Sequence, residues 1–551
     1  MTSVAPHLER VFLLPAMSEL RLVTPLAEHV VPSADDPYCV VKLLSNEDGT
    51  AHYGSAVIDG YDLRPDIPMR IPSNKSLAVF SHDGCRLAVN APALIINDCY
   101  VTSTGQYRQR SIVELHAYLE SKRKEARSGS SHAVGPRVLV CSSRPECGKS
   151  TLVRTLANYA VALGYHPLVV DLDATLPSFG MPQCTSLFVA QYPIDPEEDC
   201  CFVPMQPFLF CPTSTLRAHS QTLRVSPCDS RTLWRRSMNT MADVAMQRVS
   251  RYDRTRCGGI LIDYPSIEEE QIEDAEAARF SERLQVGVVH QKSNPLDVLL
   301  DTAEEYGVDH IICVGSDWLQ FKLQQLAAER SAATSGKTAS ALSNRSTVWL
   351  PLTSISAPCL ELAGKTIRVV PFDAQDAHPS RGTPQTLSLC QKQKYMNYFF
   401  GTITSPLKPV PLEVSLNNIR LVQLRSADSS SMQTLLSVTD AESKRDPAAL
   451  SFPLPSDVDL EGRVLAVSST MYLRLKEVTD ESTGEITTVE ESVPHRDVEA
   501  GLKTGHIIGF IWVTEVSSSK LLVVCPNAEL PQPKGICLYL TNIFFSRKKG
   551  S

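Results

Sequence analysis

Residues 143–151 combine the residue types that bind the phosphates of a nucleotide. The run reads SRPECGKST and ends in Gly148, Lys149, Ser150 and Thr151. Glycine lets the backbone curl so that consecutive N–H groups face a phosphate, and the start of a following helix adds partial positive charge. Lys149 can reach the outer phosphates and Ser150 can bind Mg²⁺, while Thr151 lies one residue further along, near the innermost phosphate.

The sequence on either side predicts the elements that such a loop needs. The apolar run 138–141 suits a buried parallel strand, and apolar residues recur at helical spacing from 152 to 163, where Gly164 ends the pattern. This strand–loop–helix order is that of a P-loop. The first glycine of the usual P-loop pattern is replaced by Ser143, a change that need not abolish phosphate binding.

The next predicted strand, residues 168–173, ends in two acids, Asp171 and Asp173. A carboxylate at the end of a strand beside a P-loop can hold Mg²⁺ through water or accept a proton from a substrate hydroxyl. Strand alternation places both acids on one side of the sheet. One of them could equally cap the end of the strand without a chemical role.

The bulk composition is that of a soluble globular chain. Its 551 residues suggest about three domains. A net charge of −8 excludes an overall basic character, so contact with nucleic acid would need a local basic groove. The 16 cysteines include no C-x-x-C pair, which favours reduced thiols over a zinc site. No segment approaches the ~18 apolar residues of a membrane span, so we expect an intracellular protein.

Three regions differ in their patterns. Residues 1–110 show short apolar runs separated by Gly, Asn, Asp and Pro, which predicts strands, and a helix is predicted over 112–124. From about residue 136, strands alternate with helices, as in a parallel sheet. Two insertions interrupt this region, one from Glu268 to about Pro295 and one over residues 331–347. Beyond Gly401 short strands return.

Several segments, taken in their order, resemble the Clp-one family of RNA 5′-hydroxyl kinase-like subunits of the pre-mRNA cleavage and polyadenylation machinery. They cover most of the chain and read SELR at 18–21, YGSA at 53–56, LAVFSHDGC at 77–85, LHAYLESKR at 115–123, CGKSTL at 147–152, VDLD at 170–173, YMNYFFG at 395–401 and GFIWVTEV at 509–516.

The resemblance implies an α/β protein with three domains. A central P-loop domain with a parallel sheet, residues 136–401, would be flanked by an N-terminal β-sandwich, residues 1–127, and by a small C-terminal α/β domain, residues 402–551. It also implies ATP and Mg²⁺ as cofactors, a nuclear location, and other subunits of the cleavage and polyadenylation complex as partners, with RNA contacted weakly or indirectly.

The resemblance also implies roles for individual residues. Glu19 matches a glutamate that contacts the adenine end of ATP. Lys75 lies one residue before the position, Ser76, at which the family has a nucleotide-contacting lysine. The phosphate-binding run of the family matches Glu146, Cys147, Gly148, Lys149, Ser150 and Thr151. Asp173 matches the acidic residue that serves Mg²⁺, together with Ser150, and the attacking hydroxyl if the protein is active.

Several positions depart from the pattern of the active kinases. Leu176 replaces a polar active-site residue, and residues 212–217, PTSTLR, replace a glycine-rich RNA-gripping segment. Ser266 lies near the position of the tryptophan that clasps the RNA end. The lid stretch 382–389 contains no basic residue, and only Arg381 is close. Fixed cations near the transferred phosphoryl group are worth about 10³–10⁵ in rate, so these losses would weaken catalysis far more than nucleotide binding.

Three functions therefore remain open. The chain could be an ATP-binding structural subunit with weak or no kinase activity, which the degraded substrate site favours. It could be an active polynucleotide kinase in which Asp173 acts as base or metal helper and residues such as Arg217 or Arg381 replace the lid. It could also be an unrelated P-loop ATPase or regulatory protein whose outer domains resemble the family by chance.

Overall fold

The structure is a computed structural model. It describes residues 7–24, 39–45, 54–71, 75–129, 133–175, 177–197, 209–212, 231–273, 294–335, 359–362, 365–372, 384–401, 406–426, 448–451, 459–479, 486–504, 506–526 and 535–545. None of the helices in these ranges has both the length and the apolar character needed to cross a membrane.

The N-terminal region forms two small antiparallel sheets and a long helix. Its elements are β1 (His7–Leu14), β2 (Ser18–Thr24), β3 (Cys39–Leu43), β4 (Val57–Ile58), β5 (Tyr61–Asp62), β6 (Pro68–Ile71), β7 (Lys75–Ser81), β8 (Cys85–Pro92), α1 (Ala93–Asp98), β9 (Tyr100–Thr102) and α2 (Gln106–Ser128). The sheet orders are β1-β8-β3-β6 and β5-β4-β7-β2-β9. Alternate residues of both sheets, such as Val41 and Val79, share one core, which confirms the predicted β-sandwich.

The central region alternates strands and helices as predicted. Its elements are β10 (Arg137–Ser142), α3 (Lys149–Ala162), β11 (Leu168–Asp171), β12 (Cys184–Val189), β13 (Leu209–Pro212), α4 (Arg231–Arg251), α5 (Asp253–Gly258), β14 (Ile260–Asp263), α6 (Pro295–Glu305), β15 (His310–Val314), α7 (Asp317–Ser335), β16 (Cys359–Leu362), β17 (Lys365–Phe372) and α8 (Pro384–Phe400). Strands β17, β15, β10, β14 and β11 lie side by side and are parallel.

Both faces of this parallel sheet are buried, which explains the continuous apolar runs in its strands. In β10, Val138 and Val140 belong to the core beneath α2 and α3, whereas Leu139 and Cys141 belong to the core beneath α4 and α6. The sheet therefore fixes the carboxyl end of β10, where the phosphate-binding loop begins, from both sides.

The C-terminal region is a strand-rich α/β unit that continues the same sheet. Its elements are β18 (Val410–Ser415), β19 (Ile419–Ser426), β20 (Ala448–Ser451), β21 (Arg463–Met471), β22 (Leu473–Thr479), β23 (Ile486–Ser492), α9 (His495–Thr504), β24 (Ile507–Val516), β25 (Lys520–Cys525) and β26 (Ile536–Phe544). Strand β24 pairs with β13 through Ile507 and Phe210, so the two regions share one 15-stranded sheet.

The predicted insertions are only partly visible. The helix α6 begins at Pro295, where the first insertion was predicted to end, and residues 274–293 lie outside the described residues. The sequence predicts that the second insertion starts at residue 331. In the structure, α7 continues past that point and ends at Ser335. Residues 336–347 lie outside the described residues.

A tight turn of the N-terminal sandwich packs directly on the P-loop helix. The turn between β4 and β5 contains Asp59, whose carboxylate lies 3.3 Å from the guanidinium of Arg154 in α3. The side-chain amide of Asn158 donates a 2.9 Å hydrogen bond to the carbonyl of Asp59. Gly60 has a φ of +76°, and a Cβ there would come within 2.9 Å of the carbonyl oxygen of Thr155. The sandwich is thereby docked on α3.

Candidate functional site

The loop between β10 and α3 has the backbone shape of a phosphate cradle. Glu146 has a φ of 58° and Gly148 a φ of 95°, and such left-handed residues turn consecutive N–H groups toward the inside of a loop. The amide of Leu152 donates to the carbonyl of Gly148 at 2.9 Å, so the helix begins directly after the loop, with Ser150 and Thr151 in its first turn.

Ser143 fits this loop without strain. It is not among the residues with a positive φ, so the conformation does not require the glycine that the usual pattern has here. Its side chain is buried. The hydroxyl of the preceding Ser142 donates to the carbonyl of Arg144 at 2.7 Å, and the thiol of Cys147 donates to the same carbonyl at 3.3 Å. Side-chain hydrogen bonds thus hold the loop in shape.

The ammonium group of Lys149 has a protein partner in this structure. It is buried and donates a 2.8 Å hydrogen bond to the hydroxyl of Ser266, which follows β14. The hydroxyl of Ser266 in turn donates to the carbonyl of Arg144 at 3.1 Å. Ser266, which lies near the position at which the resemblance places a tryptophan, is therefore in direct contact with Lys149.

Asp263, the last residue of β14, is a buried carboxylate that lies beside the loop. It is fully buried, and neither of its oxygens has a hydrogen-bond partner among the described residues. Burial raises its pKa to about 6, and the charge of Lys149 and the hydroxyl of Ser150 oppose this rise. Carboxylate and hydroxyl oxygens are ligands that Mg²⁺ prefers, so Asp263 and Ser150 fit a bound Mg²⁺.

Asp171 lies opposite Asp263 on the neighbouring parallel strand, but its surroundings differ. It is also fully buried, and its carboxylate accepts backbone N–H bonds from Asp173 at 3.1 Å and from Phe179 at 2.7 Å. Burial, and then the charge of Asp263, raise its pKa to about 8. Burial thus raises the pKa of both acids, and the charge of Lys149 favours the ionised form of Asp263.

The predicted strand over 168–173 ends earlier, at Asp171, because the carboxyl group of Asp171 caps the turn that follows. Asp173 consequently lies beyond the sheet and is half-buried. One of its carboxylate oxygens accepts the N–H of Thr175 at 3.1 Å. Asp171 thus lies at the end of the strand and Asp173 lies in the turn that follows it. The metal and catalytic roles of Asp173 stay predictions.

The segment that follows Asp173 is fastened to α8. The side-chain amide of Gln391 donates to the carbonyl of Thr175 at 2.6 Å, and the buried ammonium of Lys394 donates to the carbonyl of Pro177. Both bonds join side chains of α8 to the backbone of this loop. Leu176, between the two carbonyls, lies outside the described residues.

Glu19 and Lys75 are separated in the sandwich. The carboxylate of Glu19 is buried and lies 2.7 Å from the guanidinium of Arg21 and 3.5 Å from that of Arg108. Because strand residues alternate between faces, the register of β2 with β7 puts Ser76 on the same face as Glu19 and Lys75 on the opposite face. The structure thus groups Glu19 with the arginines, and its contact with adenine stays a prediction.

Other residues that the sequence indicated lie outside the described part of the chain, namely Arg217 and Arg381. One residue of the site was not among those predicted, Asp263. A signal for it is present in the sequence, since the apolar run 260–262 ends in this acid, as the run before Asp171 does. Two such runs place two acids at the same edge of a parallel sheet.

Two family models match the chain. One, described as the N-terminal β-sandwich domain of polyadenylation factor, matches residues 14–126. The other, described as the mRNA cleavage and polyadenylation factor CLP1 P-loop, matches residues 144–290. Both matches coincide with the regions in which the structure has a sandwich and a phosphate-binding loop.

Part of the chain is also similar to curated proteins that carry the name CLP1. A protein CLP1 homolog from Nematostella vectensis is 27% identical over 209 residues, which are 38% of this chain and 45% of the relative. A polyribonucleotide 5′-hydroxyl-kinase Clp1 from Danio rerio is 30% identical over 209 residues, 38% and 43% of the two chains. A CLP1 homolog from Drosophila melanogaster is 31% identical over 186 residues, 34% and 39%. The match spans less than half the length of these relatives.

Solved structures of similar fold cover nearly the whole chain. A structure of a wild-type Clp1p–Pcf11p complex aligns with a TM-score of 0.65 and 16% identity over 98% of this chain and 99% of that one. A second structure, concerned with the interface between Pcf11p and Clp1p and with ATP loss in a point mutant, aligns with a TM-score of 0.64 and 17% identity, again over 98% and 99%. At this identity the likeness establishes the fold.

Proposed function

Since this chain is a member of the Clp1 family by its N-terminal β-sandwich and P-loop domains, we propose that it is an ATP-binding structural subunit of the mRNA 3′-end cleavage and polyadenylation machinery. In this proposal it has weak or no kinase activity and acts in the nucleus. The nucleotide is a structural ligand that stabilises the folded chain by about RT ln(1 + [L]/Kd).

The fully buried carboxylate of Asp263 carries the nucleotide-binding part of the proposal. A fully buried charge without hydrogen bonds is costly unless a cation is bound or close by. Lys149 and Ser150 lie beside it. Ser150 and Asp263 would hold Mg²⁺, which when bound neutralises charge on the outer phosphates. The N–H groups of the loop and Lys149 would hold the phosphates themselves.

The surroundings of Asp173 support the proposal that the chain has weak or no kinase activity. The loop after Asp173 is tied to α8 through Thr175 and Pro177, so its backbone carbonyls are already bonded within the protein. Ser266, near the family's clasp position, has no aromatic ring to stack on an RNA base. The described residues of the lid stretch, 384–389, include no basic residue that could support the charge of a transferred phosphoryl group.

The proposed partners are other subunits of the cleavage and polyadenylation complex. The two solved structures described above are of Clp1p together with Pcf11p. We expect a protein of the Pcf11 type to bind this chain, with RNA contacted indirectly or weakly, in keeping with the net charge of −8. Affinity purification of the chain from its source cells, with the subunits of the complex identified by mass spectrometry, tests this expectation.

A second candidate function is an active polynucleotide kinase that transfers the terminal phosphate of ATP to an RNA 5′-hydroxyl. The observation that favours it is Asp173, which is half-exposed just beyond the carboxyl end of β11 and whose charge adds to burial in raising the pKa of Asp263. The Danio rerio relative is named as a polyribonucleotide 5′-hydroxyl-kinase. In this reading Lys149, Ser150 and Asp173 act as phosphate ligand, metal ligand and base or metal helper.

One experiment separates the two functions. Purified protein is first denatured and the released nucleotide is analysed by chromatography. The same protein is then incubated with 5′-hydroxyl RNA and γ-labelled ATP, with the Asp173→Ala variant as control. Retained, unhydrolysed ATP with no label on the RNA supports the structural subunit. Strong labelling that disappears in Asp173→Ala supports the kinase and overturns the first proposal.

A further inference from the structure

The hydroxyl of Ser266 lies where the outer phosphates of a bound nucleotide would meet Lys149. Its oxygen is 2.8 Å from the ammonium nitrogen. Two backbone hydrogen bonds fix the chain on either side of it. The N–H of Tyr264 donates to the carbonyl of Val140 at 3.0 Å, and the N–H of Ile267 donates to the carbonyl of Ser142 at 2.9 Å. Ser266 is therefore held beside the loop by the sheet and does not depend on its own side chain for its position.

The single proton of this hydroxyl can be redirected at low cost. It now goes to the carbonyl oxygen of Arg144 at 3.1 Å. The same carbonyl also accepts the hydroxyl of Ser142 at the shorter distance of 2.7 Å. If Ser266 turned its proton elsewhere, the carbonyl of Arg144 would keep a partner, so no buried acceptor would be left without a hydrogen bond.

We propose that Ser266 binds the terminal phosphate and makes the site prefer ATP to ADP, an inference that rests on the proposed nucleotide site. Lys149 of such a loop reaches the outer phosphates. When phosphate oxygens replace the Ser266 oxygen as partners of Lys149, the hydroxyl of Ser266 lies next to them and donates to the terminal one. ADP lacks that group, so Ser266 stays paired with Lys149.

Calorimetric titration with ATP and with ADP, both with Mg²⁺, tests this assignment. The ratio of the two dissociation constants is compared between the wild-type chain, Ser266→Ala and Ser266→Thr. A hydrogen bond to a charged group makes a large contribution, so we expect Ser266→Ala to reduce the preference for ATP by about tenfold. Ser266→Thr keeps the hydroxyl and is expected to retain the preference.

A matched control separates the phosphate contact from general loosening of the loop. Ser142→Ala removes one of the two other donors to the Arg144 carbonyl, together with the 3.2 Å contact between the Ser142 and Ser266 hydroxyls, but leaves the Lys149–Ser266 bond. We expect it to change both affinities by the same factor. A ratio that Ser266→Ala leaves unchanged, or that Ser142→Ala changes equally, overturns the inference alone. A wild-type chain that binds neither nucleotide overturns the proposed function together with it.

Discussion

Asp171 and Asp263 lie directly opposite each other on neighbouring parallel strands, and both carboxyl groups are completely buried. Only Asp171 receives backbone hydrogen bonds. One acid of the pair thus shapes a loop, while the other keeps its oxygens available beside Ser150. Of the two acids, Asp263 is therefore the one that we expect to affect the binding of Mg²⁺.

We expect Asp263→Asn to weaken the Mg²⁺ dependence of ATP binding. An amide in place of the carboxylate removes the negative charge next to Ser150. Loss of a group that only supports a metal ligand already lowers metal affinity by about 10–100-fold, so we expect at least this effect. ATP titrations with Mg²⁺ and with a chelator measure the effect. Asp173→Asn is the matched control, because Asp173 lies beyond the strand end, and its effect should be smaller. A larger effect in Asp173→Asn would restore the prediction made from the sequence.

The turn at Gly60 should be highly sensitive to a side chain. Gly60→Ala combines a φ of +76° with a Cβ placed 2.9 Å from the carbonyl of Thr155. We expect it to lower the free energy of unfolding by about 2–4 kcal/mol. Gly164→Ala is the control, because Gly164 has a similar φ of +83° but no atom lies within 4 Å of the added Cβ. Backbone strain alone should lower its free energy of unfolding by about 1 kcal/mol. Equal losses in urea unfolding would contradict the packing argument.

The ion pair between Asp59 and Arg154 should contribute to the docking of the sandwich on α3. Both side chains are largely buried, with 15% and 13% of their surfaces exposed. A double-mutant cycle with Asp59→Asn and Arg154→Met is expected to give a coupling energy of about 1–2 kcal/mol. The exposed pair of Lys520 and Glu413, 2.8 Å apart, should give a clearly smaller coupling energy, because solvent screens its charges. The idea fails if the two couplings are the same.

His116 should make the chain less stable in mild acid. Burial, and then the charge of Arg123, lower its pKa to about 4, and its ring packs 5.0 Å from that of Tyr159. In the unfolded chain the pKa is about 6.5. The folded state therefore favours the neutral ring, so its stabilising effect is complete above pH 6.5 and is lost as the pH falls toward 4.

Urea unfolding between pH 7 and pH 4.5 measures this effect. The side chain is partly exposed, so we expect a loss of about 1–2 kcal/mol from His116 after allowance for screening by solvent. His116→Gln cannot titrate in this range and should show a flatter dependence of unfolding free energy on pH. Parallel curves for the two proteins would show that His116 is not the responsible group.

Much of the fold could be predicted because the sequence patterns are local. The apolar run before Ser143, the helical spacing after Ser150 and the alternation of strands and helices each follow from the burial of a sheet on both faces. The parallel sheet, the sandwich and the position of the phosphate loop are confirmed. The joining of β13 to β24 could not be read from the sequence, since it pairs segments nearly 300 residues apart.

The site was only partly predictable for a related reason. Gly148, Lys149 and Ser150 are adjacent in sequence and form a recognisable motif. Asp263 and Ser266 reach the loop only through the pairing of β14 with β10, and a single acid after an apolar run is common in proteins. Asp173 could be identified because it is near the loop in sequence, and its metal and catalytic roles stay predictions.

The pairing of β13 with β24 has a consequence for the synthesis of the chain. After β13 leaves the ribosome, roughly 300 further residues must be made before β24 follows. At about 5–20 residues per second this takes roughly 15–60 seconds. During that interval the outer edge of β13 has no strand beside it, and such edges recruit strands from other molecules. We therefore expect the nascent chain to need protection by chaperones and a C-terminally truncated chain to aggregate when expressed.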